Sequence, residues 1–170
     1  MRAISAMALV LGAAALLSGC GKQGASEAPV MPSSAPLSVA PESAAAPAPL
    51  TADQQKMLAA LPAPYNTADP ANGEAQTAQC KSCHSFAKGG PNLTGPDLWG
   101  VFGTKSAEVP NFQFSDPMKA ANLTWDAPTL DKWIEDPKTL VPGTKMTFAG
   151  VKDAKDRQDI IAYLALQRDQ

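Results

Sequence analysis

One short motif limits what this chain can be. Two of its three cysteines and its single histidine stand together in Cys80-Lys81-Ser82-Cys83-His84. With one histidine, the chain has no second imidazole for a site that requires two. The 14 basic and 16 acidic side chains leave a net charge of −2, which excludes a nucleic-acid binder that depends on a strongly basic face. We therefore expect the chemistry of the chain to be concentrated at this motif.

The C-x-x-C-H spacing is the attachment signal of a c-type haem. Two thiols separated by two residues can add to the two vinyl groups of a porphyrin, and the adjacent His84 can bind the iron. A thiol–disulfide redox pair also uses C-x-x-C, but normally within a βαβ unit, of which the sequence has no sign. A zinc site needs four ligands, and the motif offers three. The favoured interpretation is one haem c per chain, attached at Cys80 and Cys83.

The second axial ligand of the iron must be another residue type, because His84 is the only histidine. Methionine sulfur is the natural candidate. Met57 and Met118 stand on predicted helical faces, where methionine commonly fills the core. Met146 follows the turn-rich stretch Pro142–Lys145, which can hold a side chain over a ring. Met146 is therefore the predicted ligand, with Met118 as the alternative.

The amino terminus has the pattern of a bacterial export signal. Met1-Arg2 precedes an apolar run over 3–17, which has the length of a secretory signal and is short for a membrane span. Leu17-Ser18-Gly19-Cys20 resembles a lipobox, in which cleavage before the cysteine leaves it as a lipidated terminus. We expect a signal peptide over 1–19 and lipidation of Cys20; an ordinary secretory signal with a chance cysteine is the alternative.

The next segment has a different composition. Residues 25–50 contain eight alanines, six prolines and five serines, with no aromatic side chain. Such a stretch cannot bury a core and favours an extended, unfolded tether. The predicted organisation is a lipidated Cys20 with an Ala/Pro/Ser-rich tether over 20–50, followed by a folded domain over 51–170.

The folded domain is predicted to be all-α. Thr51–Gln54 has the pattern of a capping box, which starts a short helix that Pro62 ends. Further helices are expected from Asn72 to about Ser82, from the cap Asp126 to Pro137, and over 153–168. No alternating run indicates a strand. Four to five short helices with long loops make a thin core, so we expect another group to fill the middle.

Five segments, in order, resemble the class I cytochrome c family between residues 72 and 167. The resemblance implies the class I cytochrome c fold, with the helices arranged around one covalent haem. It also implies an electron carrier rather than an enzyme. The matching segments are the haem motif 80–84, the loop 95–103, the tryptophan segment 122–125, the methionine segment 142–150 and the C-terminal helix 159–164.

The resemblance also implies roles around the haem. Pro96 is implied to offer a loop carbonyl to the ring nitrogen of His84 that faces away from the iron. Trp125 is implied to donate its indole N–H to one haem propionate, and Thr144 to bind near the other. Gly73 and Tyr163 are implied to mark the crossing of the family's first and last helices.

Three positions depart from the family pattern. Thr104 stands where a basic residue is frequent, and Phe114 where a tyrosine is frequent. Both changes remove donors to the propionates. Trp133 replaces a tyrosine near the methionine ligand, where it either directs its N–H at the sulfur or simply packs. Trp133 is therefore included in the predicted haem environment.

An iron with both axial positions taken by His84 and Met146 has no site for a substrate, which favours electron transfer over catalysis. We expect a lipid-anchored carrier on the periplasmic face of a bacterial membrane. By family analogy it would pass single electrons from a quinol-oxidising complex to a terminal oxidase, binding no nucleic acid and no small-molecule substrate. Two alternatives are a haem peroxidase or sensor with an open iron site, and a dedicated electron-transfer subunit of a dehydrogenase.

Four lysines are predicted around the exposed haem edge, where positive charge would steer acidic partners. The alternative is that they are an ordinary solvated fringe, since residues 51–170 hold 12 basic and 14 acidic side chains. They are Lys81, Lys88, Lys105 and Lys145.

Overall fold

A computed structural model describes residues 48–168. The predicted signal 1–19, the lipidation site Cys20 and all of the tether except 48–50 lie outside the described residues. Within 48–168 the chain forms six α-helices and two 3₁₀ turns, Tyr65–Thr67 and Thr77–Gln79. The helices are α1 (Ala52–Ala59), α2 (Pro70–Gln76), α3 (Asp116–Ala121), α4 (Ala127–Glu135), α5 (Pro137–Leu140) and α6 (Ala154–Leu166).

The prediction of an all-α domain is confirmed. In the described part of the chain, the extended pairing is limited to one isolated bridge between Lys105 and Thr124. The predicted capping box is present: the Gln54 N–H donates to Thr51 Oγ1 at 3.2 Å, and the Thr51 N–H donates to Gln54 Oε1 at 2.9 Å. None of the helices in residues 48–168 is long and apolar enough to cross a membrane.

The second helix differs from its prediction at both ends. It begins at Pro70, because the Asp69 carboxylate accepts hydrogen bonds from the first free N–H groups and proline is well suited to the first helical position. It ends at Gln76 and continues as the 3₁₀ turn Thr77–Gln79, rather than running to Ser82. The predicted extent was therefore wrong, and the cysteine motif follows the helical segment instead of ending it.

Two short helices, α3 and α5, were not assigned bounds from the sequence, although Met118 of α3 was expected on a helical face. Each begins at a side-chain cap followed by an early proline: Ser115 Oγ accepts from the Met118 N–H, and the Asp136 carboxylate accepts from the Lys138 and Thr139 N–H groups. With six and four residues, neither is long enough for a clear apolar period. The caps alone mark their starts.

The C-terminal helix α6 is the centre of the fold. Its residues from Asp159 to Leu166 are buried, so the broad apolar stripe predicted for it is packed on all sides. Helix α2 crosses it at Gly73, where a Cβ atom would overlap the backbone carbonyl of Asp159. The predicted crossing at Gly73 is confirmed, and it depends on the missing side chain.

The buried carboxylate of Asp159 joins the two crossing helices. Its oxygens accept hydrogen bonds from the Asp69 N–H at 2.8 Å, Asn72 Nδ2 at 2.7 Å and Lys155 Nζ at 2.6 Å. Burial alone would raise the pKa of Asp159, but the hydrogen bonds from Lys155, Asp69 and Asn72 outweigh it and hold the pKa below its ordinary value of 3.8. The ionised form is therefore the one that stabilises the fold.

This arrangement predicts a pH-dependent effect of Asp159→Asn. Since the native pKa is lowered, the contribution of the carboxylate is complete well above pH 3.8 and is lost as the pH falls through the native pKa. We expect the variant to lose about 2 kcal/mol of unfolding free energy at pH 7, the value of hydrogen bonds to a charged group, and a smaller amount at pH 3. Denaturant unfolding at the two pH values measures this.

The matched control is Asp116→Asn, since that carboxylate is 96% exposed. Its unfolding free energy should change by less than about 0.5 kcal/mol at either pH. An Asp159→Asn variant that is destabilised equally at pH 3 and pH 7 would show that shape, and not charge, is what the site requires.

Candidate functional site

The cysteine motif forms one helical turn. The His84 N–H donates to the Cys80 carbonyl at 3.0 Å, as does the Cys83 N–H at 3.0 Å. Residues three and four positions apart share one side of such a turn, so Cys80, Cys83 and His84 project together. Both cysteines are free thiols. The local fold therefore presents two thiols and an imidazole to the same space.

A loop hydrogen-bonded to this turn orients the imidazole. The Gly95 N–H donates to the Cys83 carbonyl at 2.8 Å, and Nδ1 of His84 lies 2.7 Å from the Pro96 carbonyl oxygen. A Cβ on Gly95 would come within 2.7 Å of both ring nitrogens, so glycine lets the loop lie against the imidazole. With the proton on Nδ1 donated to Pro96, Nε2 is left with the lone pair that binds a metal.

Burial shifts the pKa values of Cys80 and His84 in opposite directions. Burial raises the pKa of the Cys80 thiol, and the nearby Cys83 adds to the effect. Burial lowers the pKa of His84, which the hydrogen bond from its ring to Pro96 and the charge of Asp97 only partly offset. At neutral pH the imidazole of His84 is therefore neutral, which is the form that binds a metal.

A cavity of about 620 Å³ opens beside the motif. Its volume falls in the range of cofactor sites, and most of its lining is apolar. The cavity brings together every predicted site residue that the structure describes. These residues are Cys80, Cys83, His84, Pro96, Trp125, Trp133, Thr144 and Met146. Cys20, the predicted lipidation site, is outside the described residues.

Met146 reaches the cavity from the methionine loop, residues 141–153 between α5 and α6. The loop starts with a turn in which the Thr144 N–H donates to the Val141 carbonyl at 3.0 Å, and Thr144 Oγ1 then accepts from the Met146 N–H at 3.3 Å. Met118 also lines the cavity, but it belongs to the buried core cluster. Met118 is therefore part of the packed core, whereas Met146 is the thioether available to bind a metal in the cavity.

The three positions that depart from the family pattern offer few polar groups. The Thr104 hydroxyl donates to the Val101 carbonyl at 2.8 Å, and Phe114 packs edge-on against Phe112 with ring centroids 4.8 Å apart. Trp133 packs against Trp125 with ring centroids 5.5 Å apart. Trp125 is buried and Trp133 is half-buried, and both line the cavity.

Several lining residues were not predicted as part of the site. Ile160 and Leu164 were predicted only as the apolar stripe of the last helix, and their burial against the cavity is the reason for that stripe. Phe112, Gln113 and Phe148 come from irregular segments, where no periodicity marks a wall. Of the four predicted lysines, Lys105 and Lys145 line the cavity, and all four are exposed.

The residues present fit a covalently attached haem. The cavity combines an apolar lining, a thiol pair, an imidazole held by its second nitrogen and one thioether. Among the described residues, no cluster of three or more His, Cys, Asp and Glu side chains forms a separate metal site. The donor set matches the His/Met ligation used for haem iron in cytochromes c.

Comparisons with known proteins point to one family. The family described as Cytochrome c matches residues 70–167. A cytochrome c2 from Rhodomicrobium vannielii is 47% identical over 106 residues, 62% of this chain and 85% of the relative. A cytochrome c2 from Blastochloris viridis is 44% identical over 108 residues, 64% of this chain and 85% of the relative.

A solved structure supports the same assignment. Cytochrome cH from Methylobacterium extorquens is similar with a TM-score of 0.53 and 50% sequence identity, over 56% of this chain and 96% of that one. Cytochromes c carry covalently attached haem c, and Cys80 and Cys83 are present to attach it. Since the family match covers more than half of the sequence, and the helical fold agrees with it, the chain belongs to the class I cytochrome c family.

Proposed function

We propose that this chain is a single-electron carrier with one haem c attached at Cys80 and Cys83 and ligated by His84 and Met146. When bound, the haem supplies an iron that alternates between the ferrous and ferric states. The observation that carries the proposal is that the His84 imidazole and the Met146 thioether line the same cavity. With two protein ligands, the iron keeps no position for a substrate, which favours electron transfer over peroxidase or sensor chemistry.

The surrounding residues are suited to this role. The Pro96 carbonyl fixes the tautomer and the ring orientation of His84, so that Nε2 faces the metal. The apolar walls of the cavity would limit water around a bound haem, and the packed core cluster behind them would help to keep the same geometry in both oxidation states. Trp125 and Thr144 are placed in the lining, where they would donate to the haem propionates. Phe114 offers no donor where the family frequently has a tyrosine, and the Thr104 hydroxyl donates to the Val101 carbonyl.

The exposed lysines favour docking of acidic redox proteins. Lys105 and Lys145 are at the cavity, and Lys81 belongs to the motif itself. Positive charge beside the cavity would raise the rate of association with acidic partners and make that rate depend on the salt concentration. We assign the partners to redox complexes of the same membrane, with a quinol-oxidising complex as the donor and a terminal oxidase as the acceptor.

The location follows from the amino-terminal sequence. A signal over 1–19, a lipidated Cys20 and a tether over 20–50 would hold the domain at the periplasmic face of a bacterial membrane. A tether confines the search for partners to neighbours in the same bilayer, which raises the effective concentration. More than one acyl chain is needed for stable anchoring, as lipidation of such a cysteine provides.

Cys20→Ala tests the anchor. Because the lipid would be the attachment to the bilayer, the haem-loaded variant should move from almost entirely membrane-bound to almost entirely soluble on fractionation. A high-salt wash of the unaltered protein is the control, since it removes electrostatic attachment and should release little. If the variant still sediments with membranes after the same wash, the anchor is wrong.

A redox titration of the full-length protein in detergent tests the carrier function. A one-electron Nernst curve, with rapid reduction and oxidation by membranes that contain a quinol-oxidising complex and a terminal oxidase, is the expected result. Co-purification with a dehydrogenase at fixed stoichiometry would instead indicate a dedicated subunit. Rapid cyanide binding with peroxide turnover would indicate an open-site enzyme.

A further inference from the structure

We propose that Arg157 is a positioning residue for Met146. By holding the C-terminal end of the methionine loop, it would keep the thioether in the cavity and set the rate at which Met146 leaves the iron. The inference rests on the proposed ligation by Met146 and assigns the control of that bond to a side chain outside the cavity lining.

The methionine loop is anchored at its ends. In the centre of the loop, residues 145–149, the Met146 N–H donates to Thr144 Oγ1. This hydrogen bond is internal to the loop and does not tie it to the rest of the fold. At the N-terminal end, Val141 is buried and closes the turn with Thr144. Between the ends, Phe148 packs against the core, so the position of Met146 depends on this contact and on how firmly the two ends are held.

The C-terminal end of the loop packs on the end of α4. Gly150 has a positive φ of 89°, and a Cβ there would overlap the Glu135 carbonyl. The Val151 N–H donates to the Ile134 carbonyl at 2.9 Å, and Lys152 Nζ donates to the Glu135 carbonyl at 2.7 Å. Only three residues separate Met146 from Gly150, so movement of this end is transmitted to the ligand within a short piece of chain.

One buried guanidinium joins this end to the two helices beside it. Arg157, on α6, is 6% exposed. Its Nη1 donates to the Val151 carbonyl at 3.1 Å and to the Lys152 carbonyl at 2.9 Å. Its Nε donates to Asp131 at 2.8 Å, and its Nη2 lies 3.7 Å from Glu135 Oε1, both on α4. The rigid fork of arginine can hold the loop and α4 together, which a single amine cannot.

Removal of the guanidinium has a local consequence. Arg157→Gln would leave two loop carbonyls and the Asp131 carboxylate without their donor, at the C-terminal end of the methionine loop. A general loss of stability is the competing explanation. Asp159→Asn distinguishes the local effect from a general loss of stability. Asp159 is also a buried charged residue on α6, but the hydrogen bonds it accepts come from α2, the cap of α2 and Lys155, and not from the methionine loop.

The experiment uses the haem-loaded full-length protein in detergent. Ferric Arg157→Gln is mixed with imidazole at increasing concentration, and the saturating rate reports how often Met146 leaves the iron. We expect this rate to rise at least about tenfold, the factor that loss of a hydrogen bond to a charged group corresponds to. Asp159→Asn, with its unfolding free energy measured in parallel, should change the rate by less than about threefold.

Two further variants keep the test decisive if Arg157→Gln does not mature. Arg157→Lys keeps the charge but not the fork and should give an intermediate rate. Asp131→Asn weakens the hold on Nε and should also accelerate ligand exchange. If all of these variants match Asp159→Asn at equal stability, the positioning role is overturned while the ligation stands.

The unaltered protein distinguishes failure of the ligation itself. It should show the methionine-to-iron charge-transfer absorption in the ferric state and slow imidazole binding. If it lacks this absorption and binds imidazole rapidly, then Met146 is not a ligand, and both the proposed ligation and the role of Arg157 are wrong.

Discussion

Replacement of both Cys80 and Cys83 by alanine is expected to give a colourless chain that does not fold. Without the covalent cofactor, the cavity of about 620 Å³ is left in the middle of the domain. The apolar side chains that line it would then face water instead of a packed ring, and the stabilisation gained by burying them would be lost. A native domain is stable by only ~5–15 kcal/mol, so the loss of its central packing partner is enough to unfold it. Far-ultraviolet circular dichroism and denaturant unfolding of the exported variant measure the outcome.

Cys20→Ala is the matched control, because it also removes a thiol but leaves the cavity cofactor in place. It should keep its colour, its helical signal and a cooperative unfolding transition. A double variant that remains helical and unfolds cooperatively without haem would mean that the side chains around the cavity can collapse on one another. The haem would then not be the centre of the core.

Met146→Ala is expected to lower the reduction potential by about 0.2 V or more, a part of the ~0.8 V range that axial ligands span. Loss of the thioether removes the ligand that favours the ferrous state and opens the sixth coordination position. The ferric variant should therefore bind cyanide rapidly as well. Potentiometric titration and stopped-flow cyanide binding measure the two effects.

Met118→Leu is the control for Met146→Ala. Met118 also lines the cavity but is packed in the core, so a substitution of similar volume should cost less than about 1.5 kcal/mol of stability and leave the potential nearly unchanged. The account fails if the effects are exchanged, with Met118→Leu opening the iron and Met146→Ala preserving its ligation.

The chemistry of the site was more predictable from the sequence than its geometry. Cys80, Cys83 and His84 follow one another within five residues, and a single helical turn is enough to place them together. The start of α1 was predictable for the same reason, since the capping box is formed by hydrogen bonds between Thr51 and Gln54 alone. Features that depend on a few neighbouring residues can be inferred from spacing alone.

The parts that were missed depend on residues distant in the sequence. Two examples are the close approach of Gly95 to the His84 ring and the contact of Gly150 with Glu135. Both arise from the packing of loops, and no periodic pattern in the sequence indicates them. Helix α2 begins at Pro70, two residues before its predicted start, because the Asp69 side chain caps it. Short irregular segments carry little periodic signal, and tertiary contacts decide their course.

The buried Arg157 illustrates the same limit. In the sequence it is a polar residue on the C-terminal helix, where an exposed position would be the ordinary expectation. The structure buries it against two carboxylates and two carbonyls that lie 5 to 26 positions away along the chain. Only the assembled fold shows that it reaches the loop carrying Met146.

An absorption spectrum of the purified full-length protein tests the central claim most directly. The pyridine haemochrome reports the haem type, and the ferric spectrum reports the sulfur ligand. The account predicts one covalently bound c-type haem per chain, with a methionine-to-iron charge-transfer band that disappears in Met146→Ala and persists in Met118→Leu. A colourless protein, or a coloured one with a vacant sixth position on the iron, would contradict it.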